Sequence, residues 1–92
     1  MVHVLVRHRV KDYAQWKNVF DEHADVRKMA GSKGGRLFRD EKDPNHVAIL
    51  LEWDDMARAR IFFESGDLKR VMERAGVTDR PEIFYEVEKV SV

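Results

Sequence analysis

Valines occupy even positions of the opening stretch, at Val2, Val4, Val6 and Val10, while His3, Arg7 and Arg9 hold odd ones. A period of two marks a β-strand with one face turned inward, and it puts His8 on the valine side. From Asp12 the period changes. Tyr13, Trp16, Phe20, His23, Arg27 and Ala30 recur at helical spacing as far as Gly31. They predict one helix of about five turns, opened by Asp12 and Gln15 as a variant capping box. Interior glycine costs about 1 kcal/mol relative to alanine, so Gly31-Ser32-Lys33-Gly34-Gly35 ends that helix and admits a strand. Strand-like runs follow at Arg36–Asp40 and His46–Trp53, joined by the turn-rich Glu41-Lys42-Asp43-Pro44-Asn45, and should pair antiparallel. Asp54 or Asp55 caps a helix carrying Met56, Ala59, Phe62 and Phe63. Ser65-Gly66-Asp67 interrupts it before a continuation through Leu68, Val71, Met72 and Ala75 to Gly76. Ile83 to Val90 reads as the last strand.

The order βαββαβ predicts an α+β fold of the ferredoxin-like kind: a four-stranded antiparallel sheet, first and third strands central, with the helices on one face. In the third strand both parities are apolar, Ala48 and Leu50 on one side and Val47, Ile49, Leu51 and Trp53 on the other. Such a strand should be covered on both faces, and the helices cover only one. A second copy packed sheet to sheet supplies the other cover, which predicts a homodimer through the sheet face.

Ninety-two residues suit one domain, here 1–92. Seventeen Lys and Arg balance seventeen Asp and Glu, so no global field draws in nucleic acid. No apolar run approaches the roughly 20 residues that span a bilayer, and Met1 to Arg7 lacks the basic start and long apolar stretch of a signal peptide. A cytoplasmic protein without membrane or nucleic-acid partners is expected. The absence of cysteine removes disulfides, thiolate nucleophiles and finger-type zinc sites. His3 and His46 share no ligand spacing with each other or with a carboxylate pair, so no metal is expected. A metal-dependent reading would need His8, His23 and an unidentified acid to converge. The Gly31–Gly35 segment follows a helix and precedes a strand, the reverse of a phosphate loop.

Candidate chemistry gathers between the first helix and the sheet. His8 faces inward from the first strand. His23 falls near the middle of the helix's inward stripe, between Trp16, Phe20, Arg27 and Ala30, because each residue advances about 100°. An imidazole there suits a general base, since its ordinary pKa near 6.5 leaves it neutral at pH 7. Arg27 suits a carboxylate, enolate or phenolate oxygen. Trp16, Phe20, Trp53 and Phe62 suit the walls of an apolar pocket for a flat organic ligand, and equally suit an ordinary core. Arg7 and Arg9, on the opposite face, are expected to pair with Glu86 and Glu88.

Over nearly its full length the chain resembles the dimeric α+β barrel superfamily, and within it the small antibiotic-biosynthesis-monooxygenase-like and cyclase-like proteins. The resemblance rests on the strand Val2 to Val10, Tyr13-x-x-Trp16, Leu50-Leu51-Glu52-Trp53-Asp54-Asp55, and Phe63-Glu64-Ser65-x-Asp67-Leu68 leading to Ala75-Gly76-Val77. It implies a dimeric barrel, a pocket between helices and sheet, and oxygenase-like chemistry without a permanent cofactor on a flat aromatic or quinol-type molecule. In that chemistry His8 or His23 takes a proton, Arg27 stabilises the anion, and Trp53 and Phe62 hold the ring. The haem-degrading branch resembles the chain at Trp53 but departs at Arg7-His8, where it has asparagine. It departs again between Met56 and Gly76, which contain no histidine. A non-catalytic ligand-binding or stress-associated dimer is the alternative, because one fold hosts many functions.

Overall fold

The computed structural model describes residues 1–92. In chain order the elements are β1 (Val2–Arg9), α1 (Tyr13–Glu22), α2 (Ala24–Ala30), β2 (Ser32–Arg39), β3 (His46–Trp53), α3 (Met56–Phe63), α4 (Gly66–Arg74) and β4 (Glu82–Glu86). The sheet runs β2-β3-β1-β4 and is antiparallel throughout, so the ferredoxin-like βαββαβ topology holds, with β1 and β3 central.

The barrel does not. The sheet is open, with β2 and β4 as edges that do not pair. Three strand spacings of about 4.8 Å put those edges some 14 Å apart, too far for a hydrogen bond, and four strands are too few to close around a packed interior.

Three other boundaries differ from the sequence reading, each for a local reason. The single helix expected from Asp12 to Ala30 bends at His23, whose φ of −86° and ψ of 2° lie outside the helical well. Hydrogen bonds from His23 N–H to the Val19 carbonyl and from Arg27 N–H to the His23 carbonyl, both 3.1 Å, carry the ladder across the bend. β2 begins at Ser32 rather than Arg36, with a bulge between Ser32 and Gly34. A side chain at Gly35 would put its Cβ 2.2 Å from the Leu50 carbonyl oxygen, so glycine is what lets β2 approach β3 there. β4 stops at Glu86, opposite His3, because β1 starts only one residue earlier and offers nothing further to pair with.

Caps follow the sequence in part. Asp55 accepts from the Arg58 N–H at 2.9 Å and Ser65 from the Leu68 N–H at 3.1 Å. Asp12 stands at the N-cap of α1 without capping it; the Asn45 side chain accepts from the Tyr13 N–H instead, at 3.0 Å.

The register sorts the faces. Val4, Val6 and His8 of β1 and Val47, Ile49, Leu51 and Trp53 of β3 are buried under the helices together with Trp16, Ala59, Phe62, Phe63 and Leu68. The other face carries the rows Arg36–Leu50–Leu5–Phe84 and Phe38–Ala48–Arg7–Glu82, where Phe38 is 53% and Phe84 44% exposed. On that face Arg7 pairs with Glu82 at 3.7 Å and Arg9 with Asp43 at 3.4 Å, not with Glu86 and Glu88. The register alone decides this, since Glu82 stands opposite Arg7 and Glu86 opposite His3. No helix is long and apolar enough to cross a membrane.

Candidate functional site

The sequence-predicted residues fall into two groups rather than one. His8 stands opposite Val47 and Trp53 opposite Val2, six positions apart along β3. At about 3.3 Å per residue that is roughly 20 Å, more than a small ring system spans.

At the first end His8 is 3% exposed, with Trp16 edge-on at 5.7 Å. Its Nδ1 has no hydrogen-bond partner, and none of the five surface clefts is lined by it. Burial pushes its pKa below 6.5, against the opposing pull of Asp79. Trp16 is buried and stacks on Phe20 at 4.9 Å, and the stack leads away from His8 toward the other end of the sheet, where the Arg27 guanidinium lies 3.7 Å over the Phe20 ring and borders Ser32 and Leu51. Arg27 also donates to the Phe20 carbonyl at 2.7 Å. Stacking and hydrogen bond together fix its direction.

At the other end Trp53 is fully buried. Its indole N–H donates to the Ala30 carbonyl at 3.1 Å, tying the end of β3 to the end of α2. Phe62 and Phe63 pack on it at 5.0 and 5.1 Å, and His23 meets the Phe62 ring at 5.9 Å. Here a cleft of about 330 Å³ opens between helices, lined by His23 at the bend, Val26 and Ala30 of α2, Arg58, Ile61 and Phe62 of α3, and Ser65, Asp67 and Leu68 at the head of α4. Its volume lies within the range of small-molecule sites.

The polar groups of this cleft are nearly all engaged. Arg58 is held by Asp54 and donates to the Met29 carbonyl at 2.7 Å. The Ser65 hydroxyl donates to the Phe62 carbonyl at 2.8 Å while it caps α4, and Asp67 pairs with Arg70. The His23 imidazole is left. Burial first, then the charges of Arg27 and Arg74, push its pKa below 6.5, so at neutral pH it carries a free lone pair. An apolar cleft with one neutral imidazole can accept a proton from a weakly acidic ligand, or a hydrogen bond from a phenol.

Trp53 and Phe62 therefore support His23, whereas Trp16, Phe20 and Arg27 form a separate stack and His8 lies beneath Trp16. No three His, Asp or Glu side chains are grouped so as to hold a metal ion. Sequence reading missed the roomiest cleft, about 760 Å³ between α4 and β4, whose walls include Phe63, Met72, Ile83 and Tyr85. Burial and the charge of Glu64 raise the Tyr85 pKa above 10.0. The signal was the alternation of Ile83 and Tyr85, which puts both side chains on the helix side of an edge strand.

Comparison with known proteins bears on this arrangement. Residues 1–74 match the family model described as Antibiotic biosynthesis monooxygenase. Among solved structures, a candidate antibiotic biosynthesis monooxygenase from Bordetella bronchiseptica superposes with a TM-score of 0.80 at 15% identity, covering 97% of each chain. SnoaB, a cofactor-independent oxygenase from Streptomyces nogalater, gives 0.72 at 18% identity over 97% of this chain and 95% of that one. A conserved protein from Methanosarcina mazei Go1 gives 0.74 at 16% identity over 96% and 92%. No curated protein matches the chain. At these identities the structures show a shared fold.

Proposed function

The chain belongs to the antibiotic biosynthesis monooxygenase family, and from that premise we propose that it oxidises a small flat aromatic of the anthrone or quinol type in the His23 cleft, as a homodimer and without a permanent cofactor. The observation that carries the reading is the unengaged, neutral His23 imidazole against Phe62, in an apolar cleft braced from behind by Trp53.

The imidazole takes a proton from an activated ring CH₂, as in an anthrone or the keto tautomer of a quinol, and the ring rests on Phe62. The carbanion so formed delivers electrons to dioxygen, and a C–O bond forms. The imidazolium returns its proton to the peroxide, and the hydroperoxide then loses water, its remaining C–H proton leaving with the distal oxygen as hydroxide, so that CH₂ and O₂ become C=O and H₂O.

Dimerisation uses the sheet face away from the helices, where Leu5, Leu50, Phe38 and Phe84 form an apolar field bordered by charges. A second copy covers it with like against like.

Oxygen-electrode kinetics with anthrones and quinols test the activity. His23→Gln should lower kcat/KM by about 10²-fold or more, the usual size of a general-base contribution. In the unsubstituted protein kcat/KM should rise with pH to a plateau whose midpoint lies below 6.5, because the neutral imidazole is the active form. Unchanged turnover in His23→Gln would overturn the assignment. A non-catalytic binding dimer is the second reading, favoured by the absence of any unpaired second acid or base beside His23. Saturable binding without oxygen uptake would establish it.

A further inference from the structure

The other flank of α2 carries different chemistry. There Arg27 and Lys28 face Ser32, Lys33, Gly34 and Gly35 of β2 across a cleft of about 460 Å³ between helix and sheet. Three cations line it and no carboxylate does. In a chain whose charges balance at seventeen of each sign, general basicity does not explain that grouping.

The chain's ion pairs engage His3, Arg7, Arg9, Lys17, Arg58, Arg60 and Arg70, and pass over all three of these cations. The nearest acid to Arg27 in its electrostatics is Asp21, which is bound by Lys17 at 2.6 Å. Cations in the last turn of a helix complement its dipole, and that accounts for Lys28 on α2. It does not account for Lys33, across the cleft on β2, or for Arg27 being half-buried without an ion pair of its own. A guanidinium carries five N–H donors. One end of Arg27 is spent on the Phe20 carbonyl and its face on the Phe20 ring, which leaves the remaining edge pre-aimed. Opposite, Gly34 leaves open space where a side chain would stand, with nothing within 4 Å of a Cβ built there.

We propose that this cleft binds the oxyanion group of a small organic anion, a carboxylate or a phosphate monoester, with the Arg27 fork facing it and Lys28 and Lys33 closing on either side. The anion is held by side-chain cations and not by a phosphate loop, whose helix would have to follow the glycines rather than precede them. The site is separate from the His23 cleft and stands whether or not the chain is an oxygenase.

Titration of the isotope-labelled full chain with inorganic phosphate, and in a second series with malonate, tests it at constant ionic strength. Saturable amide shifts confined to Gly34, Gly35 and the end of α2 are expected with at least one of the two. Phosphate alone would mark a phosphate-monoester site, malonate alone a carboxylate site, and both a general oxyanion site. Lys28→Gln with Lys33→Gln, two exposed positions whose change leaves the Phe20 stack intact, should weaken binding by about tenfold or more, while Arg70→Gln leaves it unchanged. Shifts that fail to saturate or spread over all surface lysines overturn the proposal, as does binding undiminished in the double variant.

Discussion

His8 is held neutral by its surroundings: almost wholly buried, flanked by Trp16, with Nδ1 facing neither donor nor acceptor. Its pKa is lowered in the folded chain, so the sign of its effect on stability follows. Between the folded value and 6.5 the unfolded chain binds a proton that the folded chain refuses, and stability therefore falls as pH drops below 6.5 and is complete above it. Denaturant midpoints measured from pH 8 down to about 5.5, above the range where most carboxylates titrate, should decline in the unsubstituted protein and decline less in His8→Gln. Equal declines would show that His8 is not the group responsible. The inward placement of His8 was legible from its parity with Val4 and Val6, and that of His23 from its helical angle. Their separation was not. It depends on which residue of β3 stands opposite His8, and alternation along one strand says nothing about its distance from a residue on another.

Among the elements, β3 was the most legible. Both its parities are apolar, and the structure shows why: Val47, Ile49, Leu51 and Trp53 form the floor beneath the helices, while Ala48 and Leu50 lie half-buried on the open face. The edges were read less well. Glycines in β2 look like loop until the close approach of Leu50 is known, and the end of β4 is set by the start of its neighbour rather than by its own residues. The break at His23 likewise has no sequence mark, because the apolar stripe continues through it. The open face carries the dimer prediction. Leu50→Lys would place an unpaired charge at the centre of each half of the joint, and leaving such a charge buried typically costs 3 to 5 kcal/mol. Sedimentation should therefore show dimers of the unsubstituted chain and dissociation constants about 10²-fold or more higher in the variant. A monomeric unsubstituted chain, or a variant dimer as tight as the original, would place the interface elsewhere or remove it.

Across the whole molecule, the helix layer is divided by α2 into two clefts of opposite character, an apolar one with His23 and a cationic one with Arg27, and a third lies between α4 and β4. The sequence placed both chemistries between helix and sheet but merged them into one pocket, since His23 and Arg27 are one helical turn apart and angle alone does not show which neighbour each will face. The central claim is that a flat aromatic occupies the His23 side. Amide and aromatic shift mapping of the labelled protein with a naphthoquinol, kept anaerobic so that no turnover intervenes, measures this directly. Saturable shifts centred on His23, Ala30, Phe62 and Leu68 are predicted. Shifts centred on Met72, Ile83 and Tyr85, or none that saturate, would contradict it.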